Sequence, residues 1–95
     1  MYNLEFKASV KKDFKRISKP DILFIQKTLL AFVDNFSKNY EQELLKTGKI
    51  KKLQGQKEVL YRLKLRRYRA IYKKEDSRLV ILVLSVTSRE SAYKQ

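Results

Sequence analysis

Residues 61–86, YRLKLRRYRAIYKKEDSRLVILVLSV, carry most of the information about the fold. From Tyr61 to Arg66, apolar residues alternate with cations, which is the two-residue period of a strand with one buried face. The segment from Tyr68 to Lys73 alternates in the same way but in the opposite phase. The two segments therefore predict two strands, with a bend or bulge near Arg66 and Arg67.

The residues on either side of these strands predict further elements. A polar turn at 75–77 precedes an almost continuous apolar run at 79–86, which is typical of a strand covered on both faces. At the start of the chain, residues 2–7 alternate between apolar and polar side chains and predict the first strand. Residues 39–55 include a lysine-rich stretch bracketed by two glycines, and we interpret them as a loop.

Two amphipathic helices are predicted between the first strand and this loop. Ser9 is a candidate N-cap for the first helix. Pro20 suits the first turn of the second helix, because its missing N–H would be unpaired there in any case. The apolar positions recur at helical spacing; they are Val10, Phe14 and Ile17 in the first helix and Ile22, Ile25, Leu29, Val33 and Phe36 in the second.

These elements predict the order β-α-α-β-β-β, with a short helical tail from Ser88. The simplest arrangement is an α+β fold, in which the N-terminal helical hairpin packs on one face of an antiparallel sheet and the other face stays open. A chain of 95 residues suits one domain, so we expect residues 1–95 to fold as a single unit.

Composition narrows the classes of function. The formal charge of +13 attracts polyanions, which makes nucleic acid the leading partner. The absence of Cys and His excludes a disulfide, a Cys/His zinc site and His-based acid–base chemistry, and we expect no metal or other cofactor. The apolar stretch from Leu79 to Leu84 is too short to span a bilayer, and the start of the chain does not resemble a secretion signal. We expect a cytoplasmic protein that does not contact the membrane.

The candidate site lies on the two alternating strands. Eight Lys and Arg but a single acid, Glu58, occur between Lys57 and Lys74. Arg62, Lys64 and Arg69 fall on the polar side of the alternation, where clustered cations repel one another unless an anion compensates them. The interleaved tyrosines fall on the apolar side, so we assign them to the core more readily than to base stacking; they are Tyr61, Tyr68 and Tyr72.

Residues 52–93, KLQGQKEVLYRLKLRRYRAIYKKEDSRLVILVLSVTSRESAY, resemble the C-terminal half of the RelE/ParE toxin superfamily. The resemblance rests on a K-L-x-G turn, a Y-R-[LI]-[KR] strand, a Y-R-[LIV]-x-Y strand, an apolar strand and a closing R-x-x-x-Y, in that order. The preceding elements agree, so the resemblance covers nearly the whole chain. It implies a RelE-like fold and a toxin of a type II toxin–antitoxin module.

In RNA-cleaving members of the superfamily, five basic and tyrosine positions form the active site. Carried over position by position, these are Arg62, Lys64, Arg69, Arg89 and Tyr93. We expect the catalytic residues to be Lys64, Arg69, Arg89 and Tyr93, and the RNA-binding residues to be Arg62, Lys64, Arg66 and Arg67. Arg62 stands where relatives often have Lys, which keeps the charge but changes its geometry. Thr87 and Ser88 stand where relatives often have Gly followed by His or Lys, so a cation of the family pattern is missing.

The chemistry of metal-free RNA cleavage fits these residue types. The 2′-hydroxyl attacks the adjacent phosphorus, which requires a proton acceptor, charge stabilisation and help for the leaving 5′-oxygen. Neighbouring cations favour the phenolate of Tyr93, and Arg69 can clamp phosphate oxygens with its fork of donors. Arg89 then stabilises or protonates the leaving oxygen. The resemblance further implies mRNA in the ribosomal A site as substrate, contact with the 30S subunit and its 16S rRNA, and an acidic RelB-like antitoxin.

Two other functions remain open at the level of sequence. A ParE-like toxin would share the scaffold, inhibit DNA gyrase and cut no RNA. Such toxins tend to lack the full basic and tyrosine set, so retention of that set favours the ribonuclease. A nucleic-acid-binding module without catalysis would fit the composition equally well, and the spacing of Arg89 and Tyr93 would then be incidental.

Overall fold

The computed structural model describes residues 1–55 and 57–88 and shows an α+β fold built on one five-stranded sheet. The elements are β1 (Asn3–Phe6), α1 (Ser9–Phe14), α2 (Lys19–Asp34), α3 (Lys38–Thr47), β2 (Ile50–Lys52), β3 (Tyr61–Leu65), β4 (Tyr68–Glu75) and β5 (Val80–Ser88). The sheet has the strand order β1-β5-β4-β3-β2. The predicted fold class is therefore confirmed, and the predicted tail after Ser88 lies outside the described residues.

The sheet is mixed, which corrects the prediction of a wholly antiparallel one. β1 runs parallel to β5, with Asn3 opposite Val80 and Phe6 opposite Val83. The other neighbouring strands pair antiparallel. The physical reason is connectivity: β1 lies beside the last strand and not beside its successor, so no hairpin constrains its direction.

The segment interpreted as a loop contains a helix and a strand, which is a second correction. Helix α3 begins after Ser37, whose hydroxyl oxygen accepts a hydrogen bond from the backbone N–H of Tyr40 at 3.0 Å. It ends at Gly48, whose φ of +80° is the left-handed conformation that favours glycine at a helix C-terminus. Strand β2 has only three residues, too few for a periodic signal, and it is fixed by pairing with β3.

The first two helices differ in how well their starts were predicted. Pro20 lies in the first turn of α2 as predicted, and Ser18 caps that helix by accepting from the N–H of Asp21 at 3.4 Å. Ser9, the predicted N-cap of α1, is instead its first residue, and its hydroxyl donates to the carbonyl of Leu84 at 3.0 Å. That side chain therefore ties α1 to β5.

The change of phase near Arg66 and Arg67 is a two-residue hairpin turn, not a bend or bulge within one strand. Leu65 pairs with Tyr68, so only Arg66 and Arg67 connect the strands, and Arg66 has a φ of +59°. A bulge does occur, but in β5, where the register shifts opposite Ile71 and Tyr72. The alternation in the sequence shows that the phase changes, and the pairing of β3 with β4 shows that a hairpin turn produces the change.

One face of the sheet packs against the helices and forms the core. Leu63, Leu65, Ala70 and Tyr72 alternate inward, and each is at most 1% exposed. The core assignment of the strand tyrosines is confirmed for Tyr68 and Tyr72, and Tyr61 is half-buried against the ring of Tyr72. Burying a leucine side chain such as that of Leu63 or Leu65 contributes about 1.5–3 kcal/mol. Helix residues that face them are Val10, Ile25, Leu29, Phe32 and Val33.

Candidate nucleic-acid interface

The face of the sheet opposite the core presents cations from neighbouring strands. Arg62 and Lys64 on β3 alternate with the buried leucines, so they lie on this outer face. Lys64 stands directly opposite Arg69 of β4. Side chains paired in this way have Cβ atoms about 4.5–5.5 Å apart. The structure therefore brings Lys64 and Arg69 together as the sequence predicts.

Strand β2 and the residue before it add two lysines that the sequence analysis left in a loop. Lys51 pairs with Arg62, and the backbone N–H of Lys64 donates to the carbonyl of Lys49 at 2.9 Å. Both lysines are exposed. We call Lys49, Lys51, Arg62, Lys64 and Arg69 the basic face. Lys49 and Lys51 could have been found from sequence only by recognising the three-residue strand β2, which contains Lys51 and directly follows Lys49.

Arg69 is the buried member of the basic face. Only 7% of it is exposed, and its Nη1 donates to the carbonyls of Arg66 and Tyr68 at 3.2 and 3.0 Å. Within residues 1–55 and 57–88, neither Arg69 nor Lys64 forms an ion pair with a carboxylate. Burying an uncompensated cation is costly, and an anion bound beside it offsets that cost. This corner of the basic face is therefore suited to a phosphate.

Arg62 has a structural contact as well as a place on the basic face. Its Nη2 donates to the carbonyl of Gly48 at 2.9 Å, which ties β3 to the end of α3. The side chain is half-buried. Arg62 therefore holds the connection that positions β2, in addition to the RNA-binding role that the resemblance implies.

The two turn arginines have different surroundings. Arg67 forms an exposed ion pair with Asp21 at 2.7 Å, and the same carboxylate accepts from the Tyr68 hydroxyl at 2.6 Å. The hydrogen bonds from Tyr68 and Arg67 lower the pKa of Asp21 below its ordinary value. Arg66 instead lies over the ring of Phe24, with its guanidinium carbon 3.9 Å from the ring centroid. Of the two, Arg66 is the one whose charge is not matched by a carboxylate among the described residues.

Two predicted catalytic residues, Arg89 and Tyr93, lie outside the described residues. The described chain ends beside the basic face, because Thr87 pairs with Arg69 and Ser88 pairs with Tyr68. The residue of β5 in the row that contains Lys64 and Arg69 is therefore Thr87, two residues before Arg89 in the sequence.

Three other tyrosines are poorly suited to act as a base. Hydrogen bonding to Asp76 raises the pKa of Tyr2, and hydrogen bonding to Asp21 raises that of Tyr68. Burial, together with the charge and the hydrogen bond of Glu41, raises the pKa of Tyr72. Each shift favours the neutral phenol. The carboxylates that bind these hydroxyls thus oppose phenolate formation at all three positions.

The described part of the chain has no group of three or more His, Cys, Asp or Glu side chains placed to hold a metal ion. None of its helices is long and apolar enough to span a bilayer. The polar chemistry available on the described basic face is therefore that of Lys and Arg: charge stabilisation and hydrogen-bond donation to an anion.

Comparison with known proteins gives one family and several related folds. Residues 4–93 match the family model described as the ParE toxin of the type II toxin–antitoxin system, parDE. No curated protein shows significant sequence similarity to the chain. The fold resembles RelE in the RelE–RelB complex of Pyrococcus horikoshii OT3, with a TM-score of 0.66 and 24% identity over 93% of this chain and 94% of that one. It also resembles isolated E. coli RelE, with a TM-score of 0.65 and 22% identity over 99% of this chain and 97% of that one. The match to E. coli YafQ has a TM-score of 0.69 and 16% identity over 98% of this chain and 99% of that one.

Proposed function

The chain belongs to the ParE toxin family of the RelE/ParE superfamily and is a toxin of a type II toxin–antitoxin system, and from this premise we propose that it is an endoribonuclease that cuts mRNA on the ribosome. The observation that carries the proposal is the pairing of the buried Arg69 with Lys64 across two strands, without a carboxylate to match either charge in residues 1–55 and 57–88.

Arg69 and Lys64 would hold the scissile phosphate. The Arg69 guanidinium is fixed by two backbone carbonyls, so its remaining donors are oriented before substrate arrives. Negative charge grows on the phosphate oxygens as the 2′-hydroxyl attacks, and preorganised cations stabilise that charge. Lys51 and Arg62 add positive charge along the neighbouring row.

Proton transfer is assigned to the end of the chain. The 2′-hydroxyl loses its proton to the Tyr93 phenolate and forms a bond to phosphorus, the bond from phosphorus to O5′ breaks, and O5′ takes up a proton from water. Arg89 stabilises the charge on O5′. These two roles come from the family resemblance. The raised pKa values of Tyr2, Tyr68 and Tyr72 support them, because those tyrosines favour the neutral phenol.

The partners follow from the same proposal. The substrate is mRNA in the ribosomal A site, and the charge of +13 favours binding to 16S rRNA of the 30S subunit. The activity belongs to the cytoplasm, where ribosomes work. Solved relatives include RelE bound to RelB, and we propose that this toxin is neutralised by an acidic RelB-like antitoxin. A disordered segment of the antitoxin would fold across the basic face.

A ribosome cleavage assay tests the function. We expect the intact protein to cut mRNA in programmed ribosomes and to leave a 2′,3′-cyclic phosphate or its 3′-phosphate hydrolysis product. An EDTA concentration low enough to leave ribosomes intact should not reduce the rate of mRNA cleavage. Lys64→Ala should cleave more slowly, whereas Lys38→Ala, which removes an exposed lysine at the start of α3, should not. Absence of any ribosome-dependent cut would disprove the proposal.

The family match favours a second candidate, since the matching model is described by its ParE member. In this alternative the toxin inhibits DNA gyrase and the basic face has no catalytic role. A supercoiling assay separates the two. Inhibition of gyrase together with no cleavage on ribosomes would establish the alternative, whereas cleavage without inhibition would support the ribonuclease.

A further inference from the structure

A pocket of about 420 Å³ lies next to the basic face, where the middle of α2 meets the end of α3 and the β3–β4 turn. The helices contribute Phe24, Thr28 and Thr47, and the sheet side contributes Lys49, Lys64 and Arg66. Pockets of this size accept small molecules or parts of larger ligands. No acidic side chain among the described residues lines the pocket, so its charge favours an anion.

One wall of the pocket is a cation–π pair of two flat groups. The Arg66 guanidinium lies 3.9 Å from the centroid of the Phe24 ring. Nucleic-acid bases stack on aromatic rings and on arginine planes in the same way. A base is therefore a suitable ligand for this wall.

The backbone of Arg66 supports a role for its side chain. Its φ of +59° is at the first position of a two-residue hairpin turn, where glycine is favoured. An arginine in this conformation is strained, and strain of this kind is concentrated at functional sites. The turn itself gives no reason for a long cationic side chain.

The pocket also offers hydrogen bonding. The Thr28 hydroxyl donates to the Phe24 carbonyl at 2.8 Å, so its proton is occupied while its oxygen can still accept. Lys49 and Lys64 are exposed, and the backbone N–H of Lys64 donates to the Lys49 carbonyl, so the two side chains are close enough to contact a phosphate together. The lining therefore combines a stacking wall, an acceptor and two cations, which match the base and phosphate of one nucleotide.

We propose that this pocket binds a third nucleotide, adjacent to one of the two that flank the cleaved phosphate, with its base against Arg66 and Phe24 and the phosphate that joins it to the dinucleotide between Lys49 and Lys64. The inference rests on the proposed ribonuclease function, because Lys64 lines the pocket and also stands opposite Arg69. Neighbouring strands are about 4.8 Å apart, so the pocket adjoins the position proposed for the scissile phosphate.

The test measures how much affinity one extra nucleotide adds. A 2′-O-methyl dinucleotide, which cannot be cleaved, is compared by fluorescence anisotropy with trinucleotides extended at the 5′ or the 3′ end. We expect one extension to increase the affinity of the intact protein by about 5- to 100-fold. Arg66→Gly and Phe24→Leu should each remove most of that gain, and Phe24→Leu should leave dinucleotide binding unchanged.

Matched variants separate stacking from charge and from folding. Arg66→Gly suits the turn, and Arg66→Lys keeps the charge but has no flat group, so both should lose the gain while the melting temperature is maintained. Lys38→Ala removes one exposed cation at the far end of α3, about 13 Å of helix from Thr47, and should retain the gain.

Two results would overturn the subsite. One is that neither extension adds affinity, or that the Arg66 and Phe24 variants bind all the oligonucleotides as tightly as the intact protein. The other is that these variants weaken binding only to an acidic antitoxin peptide, which would assign the pocket to that partner. The oligonucleotides need no cleavage, so failure of the subsite is distinguishable from failure of ribosome-dependent cutting by the intact protein.

Discussion

Replacing Arg69 with methionine should separate function from stability. Arg69→Met keeps much of the side-chain length and removes the charge from a position that is only 7% exposed. The replacement loses two hydrogen bonds from Nη1, to the carbonyls of Arg66 and Tyr68. Each bond from a charged donor contributes about 1.5–3 kcal/mol. The loss of these hydrogen bonds destabilises the folded state of the variant.

The same substitution also removes a buried cation, which stabilises the folded state of the variant. Desolvating an ion costs several kcal/mol even after relaxation, so an apolar side chain of similar size at this position avoids a cost of that order. The two contributions are of similar size. We therefore expect Arg69→Met to change the free energy of unfolding by less than about 2 kcal/mol in either direction, while it slows single-turnover cleavage on ribosomes by about 10²-fold or more.

Urea unfolding and ribosome cleavage, measured on the same preparations, check this expectation. Inorganic phosphate should raise the melting temperature of the intact protein more than that of Arg69→Met, because an anion that binds only the folded state stabilises it. Destabilisation by more than about 3 kcal/mol would show that Arg69 is chiefly a structural residue. An equal response of both proteins to phosphate would refute the proposed anion site.

Four further predictions concern other residues. Glu41 is 3% exposed and accepts hydrogen bonds from Tyr72 and Lys74 at 2.9 and 2.8 Å. In urea titrations, Glu41→Ala should lower the free energy of unfolding by about 3–5 kcal/mol, whereas Tyr72→Phe should lower it by only about 1–2 kcal/mol. Folding lowers the pKa of Asp21 from its ordinary 3.8, so the Asp21 carboxylate stabilises the fold above pH 3.8, and this stabilisation is lost as the pH falls through the folded-state pKa. In urea unfolding between pH 5 and pH 2, Asp21→Asn should therefore lose less free energy of unfolding than the intact protein does. For single-stranded RNA, a plot of log K against log salt should have a slope of about −3 to −5, and Lys64→Ala should make it shallower by about 0.7, whereas a slope near zero would exclude phosphate contacts. Tyr93→Phe should slow single-turnover cleavage by about 10²-fold if the hydroxyl transfers a proton, and an unchanged rate would leave stacking or no role.

The candidate site could be predicted in part because strands alternate. The two-residue period puts Arg62, Lys64 and Arg69 on one face from sequence alone. It cannot supply the register that sets Lys64 opposite Arg69, because register depends on the hairpin turn between them. Nor can it supply Lys49, which joins the basic face through a hydrogen bond between strands.

The sequence by itself determined the α+β class, the basic outer face, the tyrosine side of the core and the absence of His and Cys chemistry. Local periodicity and composition are sufficient for these properties, because each depends on neighbouring residues or on the whole count. Only the tertiary structure decided that β1 runs parallel to β5 and that β2 forms the edge of the sheet. It also decided that Arg69 is buried, and it formed the pocket beside Arg66. These features depend on contacts between residues distant in the chain, and such contacts leave no local pattern in the sequence.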